Sequence, residues 1–465
     1  MHSGKNKKTV FLFAALFALY IALGVFAGLH HEPWADEGQS WLIARDNNSL
    51  IDIIKAVRYE GTFPTWSLIV KFFQLCGLKY EYIFVIPLIF SSIGVSILFM
   101  SDAPAVIKVF LPFSFYTVFQ SAVIARQYSL VFPAMMLIMA VYKKRQAQPV
   151  RYLLALLFLC LTSSYGIIIT GSFMLWDLIC MINKKTSADF DKRFKLSFFA
   201  AAAAFLALSL TLIPPADASF IRTRVSFADS FVTTFLFHVE NTVLQYVLLF
   251  LISALLIWFF RHDIIQVSVI VMPVILYMLF FYHRLWHTAY LFYLVIILAA
   301  ILHKGPEDQQ KDSKNAKSFM PDIALCVFLS LQYFAGLYSI YIDYLKPYSA
   351  AGNVAEFLTP YVESGKTVDM FGYLPFGVQP YFDSNIFTNY HTDKGYFIWN
   401  TSHNLIKLSE PASDVIVSSE YLSDLYDLTG YESYRFPAQM IFKFSEAERS
   451  YIYVYVKEDL APSSH

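Results

Sequence analysis

Asp36 and Glu37 stand side by side in HEPWADEGQSWLIARD, residues 31–46, directly after the first long apolar run. A carboxylate placed there can take a proton from an acceptor hydroxyl. The same pair also fits ordinary helix-start chemistry, with Pro33 at the first helical position and acidic residues in the first turn. Farther on, Arg126 in AVIARQYSL and His283 and Arg284 in HRLWHTAY set basic groups among aromatic ones. A guanidinium can hold a phosphate through two hydrogen bonds. Each has a plainer reading too. Arg126, about one turn inside its expected span, can reach back to the headgroups, and 283–290 can be an aromatic connection between spans. Arg222 and Arg224 read as a solvated or headgroup-binding pair.

The elements that must position these groups are apolar helices. Of the 465 residues, 57 % are hydrophobic, 18 % aromatic and only 15 % charged. A soluble domain carries about 25 % charge. Eleven runs are expected to span: 10–29, 80–100, 104–120, 122–142, 150–164, 165–183, 195–213, 241–260, 264–282, 286–302 and 320–342. Only helices suit such runs in a ~30 Å hydrocarbon core. The fold class expected is therefore membrane all-α, with about 11 transmembrane helices. A formal net charge of zero points to no nucleic acid. Cys76, Cys160, Cys180 and Cys326 have neither metal-site nor redox spacing, and no disulfide is expected.

Lys and Arg gather near the span ends at 143–151, 184–195 and 304–317, and at the N-terminus. Placing them inside puts the N-terminus in the cytoplasm and residues 30–79 and the tail outside. The protein is then a multi-pass cell-membrane protein with an extracytoplasmic C-terminal domain. Within 30–79, Ser49 can cap a helix that Gly61 stops, with Leu50, Ile53, Ile54 and Val57 on one face. TWSLIVKFFQLC, after Pro64, is too short to span. Both segments suit the membrane interface. The division expected is a transmembrane domain over 1–344 and a small α/β domain over 345–465. In the tail, SAAGNVAEFLTPYVE and YLSDLYDLTG read as helices, and KTVDMF, DVIVSS and RSYIYVYVKE as strands.

The first loop, WADEGQSWLIARD at 34–46, resembles that of bacterial GT-C glycosyltransferases, whose pattern is W-x-DE-x-x-x-W-L-I-A-R-D. That superfamily includes the protein O-mannosyltransferases and the aminoarabinose transferase of lipid A. Arg58-Tyr59-Glu60-Gly61 is similar to the RYEG of those relatives, and Ala125-Arg126-Gln127-Tyr128 to their Ala-Arg-x-Tyr. One departure stands out: Thr62 and Phe63 precede Pro64, where relatives often carry a His and a Pro.

The resemblance implies a polyprenyl-phosphate sugar as donor, a lipid, glycan or protein as acceptor, and surrounding membrane lipids. It implies inversion at the sugar carbon, with Asp36 as general base and Glu37 orienting the acceptor or supporting Asp36. Arg126 and Arg284, with His283, would neutralise the leaving phosphate, while Arg58, Glu60 and Tyr128 would line the substrate site. Some GT-C enzymes use a divalent metal and others none; His30, His31 and Asp36 could supply ligands. Two other classes share these features: a transporter or flippase for a lipid-linked sugar, and a non-catalytic cell-envelope assembly protein. Catalysis requires Asp36 and Arg126 to face one cavity.

Overall fold

A computed structural model describes residues 7–183, 190–219, 226–281, 283–302, 320–390, 394–400, 412–443 and 445–462. Arg222, Arg224, Lys184, Lys185 and the lysines at 304–317 lie outside the described residues. Seven described helices are long and apolar enough to cross a membrane: Lys7–His30 (α1), Tyr80–Met100, Ser164–Ile182, Lys192–Thr211, Thr242–Phe259, Leu285–Leu302 and Ile323–Leu345. Gln127–Tyr142, Pro149–Cys160 and Ile264–Phe280 are apolar but shorter. The chain is a multi-pass membrane protein.

The expected count of eleven spans is not confirmed, and two of the expected runs are not continuous helices. The run at 104–120 breaks into an α-helical turn pair, Ala105–Phe110, a 3-10 turn, Leu111–Phe113, and a π-helical stretch, Phe115–Gln120. Pro112 has no amide to continue a helix. The stretch from Leu111 to Ala125 is nevertheless buried. Tyr116 packs on Phe292 (ring centroids 4.6 Å) and its hydroxyl meets Thr288 at 2.7 Å. The next expected span also starts late: Arg126 is extended (φ −131°, ψ 163°), and helical backbone begins only at Gln127.

After α1 the chain enters α2, Ala35–Asp46. Its start is fixed by Glu37, whose carboxylate accepts the Trp34 amide at 3.2 Å, half of a capping box. Ser49 caps the next helix, α3, Leu50–Val57, by accepting the Asp52 amide at 3.1 Å. Gly61 ends the following 3-10 turn in the left-handed region (φ 63°). The apolar face of α3 is split. Ile53 and Val57 pack against Leu42 and Ile43 of α2, while Leu50, Ile51 and Ile54 are exposed. Ile53 and Val57 are fully buried, each contributing about 1.5–3 kcal/mol. The helix Thr65–Leu75 has 11 residues, about 16 Å, and cannot span.

The C-terminal segment carries the helix Ala351–Glu363 and a four-stranded sheet of order β1-β2-β4-β3. The strands are Val368–Phe371 (β1), Val415–Ser418 (β2), Tyr431–Phe442 (β3) and Ser445–Lys457 (β4). β1 and β2 are parallel; the other pairs are antiparallel. Val354, Ala355 and Leu358 of the helix pack on Val368, Met370, Val415, Val417, Val454 and Val456. YLSDLYDLTG, expected as a helix, forms only the 3-10 turn Leu422–Asp424 and leads into β3. β3 was not expected; its Pro437 is tolerated because β3 is an edge strand. Beyond β3, Lys443 (φ 40°) is buried, and its Nζ donates to the carbonyls of Thr233 and Thr234, tying the β-hairpin to the helix Phe227–Phe235.

Candidate active site

Asp36 sits one residue inside the start of α2, and its carboxylate keeps about 18 % exposure. Arg126 grips it twice. One guanidinium nitrogen donates to the Asp36 carbonyl at 2.8 Å, and the other lies 3.2 Å from the carboxylate. The Tyr373 hydroxyl donates to the other carboxylate oxygen at 3.1 Å. Asp36 and Arg126 are therefore in direct contact, and both keep partial exposure. Tyr373 comes from the C-terminal segment. It reaches Asp36 because the following turn, Leu374–Gly377, lies directly on α2. A Cβ on Gly377 would stand 3.1 Å from the Ala35 amide, and one on Gly38 would stand 3.0 Å from Pro380. Two glycines thus permit the contact that brings Tyr373 in.

Gln39, about one turn after Asp36, donates from its amide to Glu60 at 2.8 Å and to the Phe397 carbonyl at 2.6 Å. The Phe397 amide returns a bond to Gln39 at 2.9 Å. Burial pushes the Glu60 carboxyl up to about 7, against the Gln39 hydrogen bond and the Arg126 charge, and the Asp36 charge adds to the rise. Glu60 therefore belongs to the same cluster as Asp36 and Arg126. Tyr128 is buried beside them.

Glu37 has a different surrounding. It is fully buried and accepts three bonds: from the Ala125 amide at 2.5 Å, the Trp34 amide at 3.2 Å and His31 Nε2 at 3.1 Å. Neighbouring helical side chains point about 100° apart. Here that angle leaves Asp36 partly exposed beside Arg126 and turns Glu37 into the protein. The bond from Ala125 takes up an amide that a longer helix would have used, and Arg126, expected inside a span, stands just before the helical backbone that forms. His31 Nδ1 meets Asp343 at 2.9 Å.

Arg284 and His283 lie to one side. The Arg284 guanidinium is 5.7 Å from the Trp286 ring centre, and Trp286 packs edge-on against Trp34 at 5.8 Å. Gln120 donates to the Trp286 carbonyl at 2.8 Å. Burial drives His283 down to about 4, so it is neutral at pH 7 and can offer a hydrogen bond but no charge. Its Nδ1 is 3.4 Å from the Tyr165 hydroxyl. Four buried nitrogens, Trp34 Nε1, Arg126 Nε, Arg284 Nε and His283 Nε2, have no hydrogen-bond partner among the described residues. Buried polar atoms are normally satisfied; the N–H donors in this set suit an anionic ligand. Arg58 also stands apart: it is exposed, on the turn Arg58–Glu60.

Tyr373 and Gln39 were missed in the sequence. Gln39 had a signal, its helical spacing from Asp36; Tyr373 had none, being more than three hundred residues away in a segment without a motif. Among the described residues no three His, Cys, Asp or Glu side chains form a group that could hold a metal ion.

The fold and the cluster define a multi-pass membrane protein whose first interhelical segment and C-terminal segment jointly enclose a carboxylate–guanidinium pair. The chain is similar in structure to ArnT from Cupriavidus metallidurans in its apo state, with a TM-score of 0.57 over 98 % of this chain and 99 % of that one, at 12 % identity. The likeness is one of fold, and it fits the GT-C resemblance of the first loop. No family model and no curated protein matches the chain.

Proposed function

We propose that the protein is an integral-membrane glycosyltransferase of GT-C type, moving a sugar from a polyprenyl-phosphate donor to a lipid, glycan or protein acceptor at the outer face of the membrane. The observation that carries this reading is the meeting of Asp36, Arg126 and Tyr373 in a partly exposed cluster. The fold shared with ArnT, a lipid A aminoarabinose transferase, supports it.

In the proposed step, an Asp36 oxygen takes the proton from the acceptor's nucleophilic group. The nucleophile's lone pair forms a bond to the anomeric carbon as the carbon–oxygen bond to the donor phosphate breaks. The bonding electrons leave with the phosphate, and attack opposite the leaving group inverts the centre. Arg126 and Arg284 stabilise the departing phosphate, and fixed cations in a largely dry site do this without reorganising. Arg126 grips Asp36 before donor arrives; its turn to the phosphate would free the carboxylate to act as base. Glu60 and Tyr128 flank the pair, while Glu37 supports from below. The exposure of Arg58 suits contact with headgroups rather than with the reacting atoms.

We further propose that residues 1–344 form the transmembrane catalytic domain and 345–465 an extracytoplasmic domain that closes over the site. The test of the function is direct. Purified protein is mixed with a panel of polyprenyl-phosphate sugars and candidate acceptors, and product is sought by mass spectrometry. Transfer from at least one donor is expected; donor hydrolysis or transfer by none of them would count against the reading.

A further inference from the structure

Beneath the cluster lies a second, fully enclosed one. His31, at the end of α1, stands between Glu37 of α2 and Asp343 of the long helix Met320–Leu345. The contacts are 3.1 Å from Nε2 to Glu37 and 2.9 Å from Nδ1 to Asp343, and all three side chains are about 1 % exposed or less. The Tyr348 ring packs on the imidazole at 4.8 Å and the Phe119 ring at 6.2 Å. Both ring nitrogens face carboxylate oxygens, and two carboxylates cannot accept from a neutral imidazole, which has one N–H. Burial alone would strip the proton from His31, but Asp343 and Glu37 overcome it and raise the group to about 10.

The chain of contacts continues upward. Glu37 spends its second oxygen on the Ala125 amide, and Ala125 is followed by Arg126, whose guanidinium grips Asp36. We infer that His31, clamped by Asp343, is a positioning residue: it fixes the Glu37 carboxylate, which fixes the 125–126 main chain and so aims Arg126 at the site. This rests on the proposed role of Arg126 as a phosphate ligand. His31 touches no substrate, and acts only through Glu37. The arrangement links the helix that leads into the C-terminal segment to the residue proposed to hold the donor.

The test is a double-mutant cycle on the full chain in nanodiscs, read as binding of farnesyl phosphate, a short polyprenyl monophosphate. Cycles separate a residue that acts through another from one that acts independently. Arg126→Ala sets the scale. His31→Gln is expected to weaken binding about tenfold and Asp343→Asn about threefold, and neither should matter by more than about twofold once Arg126 is alanine. His31→Gln leaves two buried carboxylates without their cation and can fail to fold. Asp343→Asn keeps one carboxylate against one imidazolium, and carries the test in that case. Full-sized losses persisting in the Arg126→Ala background would overturn the inference. So would unchanged binding by a folded Asp343→Asn protein. Unchanged binding by Arg126→Ala alone would instead remove Arg126 as phosphate ligand, and the inference with it.

Discussion

Replacing Arg126 by alanine removes both of its contacts to Asp36, at 2.8 and 3.2 Å. Asp36 keeps the Tyr373 hydroxyl and about 18 % of its surface open, so water can replace the guanidinium and the fold should survive. What the variant loses is the cation proposed to hold the donor phosphate. A hydrogen bond to a charged group contributes about 1.5–3 kcal/mol, which corresponds to roughly 10- to 150-fold in donor binding or rate. Arg126→Lys should recover only part of this, because an ammonium lacks the planar fork. Steady-state transfer with donor varied at fixed acceptor reads the effect, with thermal unfolding as the control for folding. Donor kinetics unchanged in a folded Arg126→Ala protein would refute the reasoning: Arg126 would then serve only to hold Asp36.

Tyr373→Phe removes one hydrogen bond to the Asp36 carboxylate without changing the packing. A loss of about 1–2 kcal/mol is expected, roughly 5- to 30-fold in kcat, measured at saturating donor. His31 gives a pH dependence of stability. Its proton affinity is higher folded than unfolded, so its contribution is complete below about pH 6.5. It is lost as pH rises toward about 10, by up to about 1.4 kcal/mol per pH unit. The melting temperature should therefore fall across pH 7–10, and His31→Gln should flatten that fall. For topology, a membrane-impermeant thiol reagent on whole cells should label a cysteine placed at Ser364, after the C-terminal helix, but not one at Ala147; the reverse pattern would invert the proposed sides.

Local chemistry was legible where a residue's partner was nearby in sequence. Ser49, Asp52 and Gly61 mark α3 and its end because caps and left-handed stops act within one turn. The alternation in RSYIYVYVKE announces β4 for the same reason. The neighbouring β3 was hidden by Pro437, which reads as a breaker unless the strand is known to lie at an edge. At 104–120, hydropathy alone cannot distinguish a continuous helix from a broken one, and Pro112 decides for the latter. In the site, the motif pointed to Asp36, Arg126 and Glu60, and the structure brings these three together. The depth of Arg126 was misread because its position depends on the Glu37–Ala125 bond, a contact 88 residues apart. Tyr373 and Asp343 depend on packing of the C-terminal segment and the last long helix against α1 and α2, and no local pattern encodes that.

The central claim is that Asp36 is the base, and Asp36→Asn tests it most directly. Asparagine keeps the shape, can accept from Arg126 through its oxygen while its amide donates to the Tyr373 hydroxyl, and serves nearly as well near a helix start. It cannot take the acceptor's proton. Transfer from the polyprenyl-phosphate sugar that the wild type uses, measured with matched amounts of folded protein, should fall roughly a hundredfold or more. Farnesyl phosphate should still bind. Near-normal transfer by Asp36→Asn would contradict the account and return Asp36 to the role of a helix-start residue.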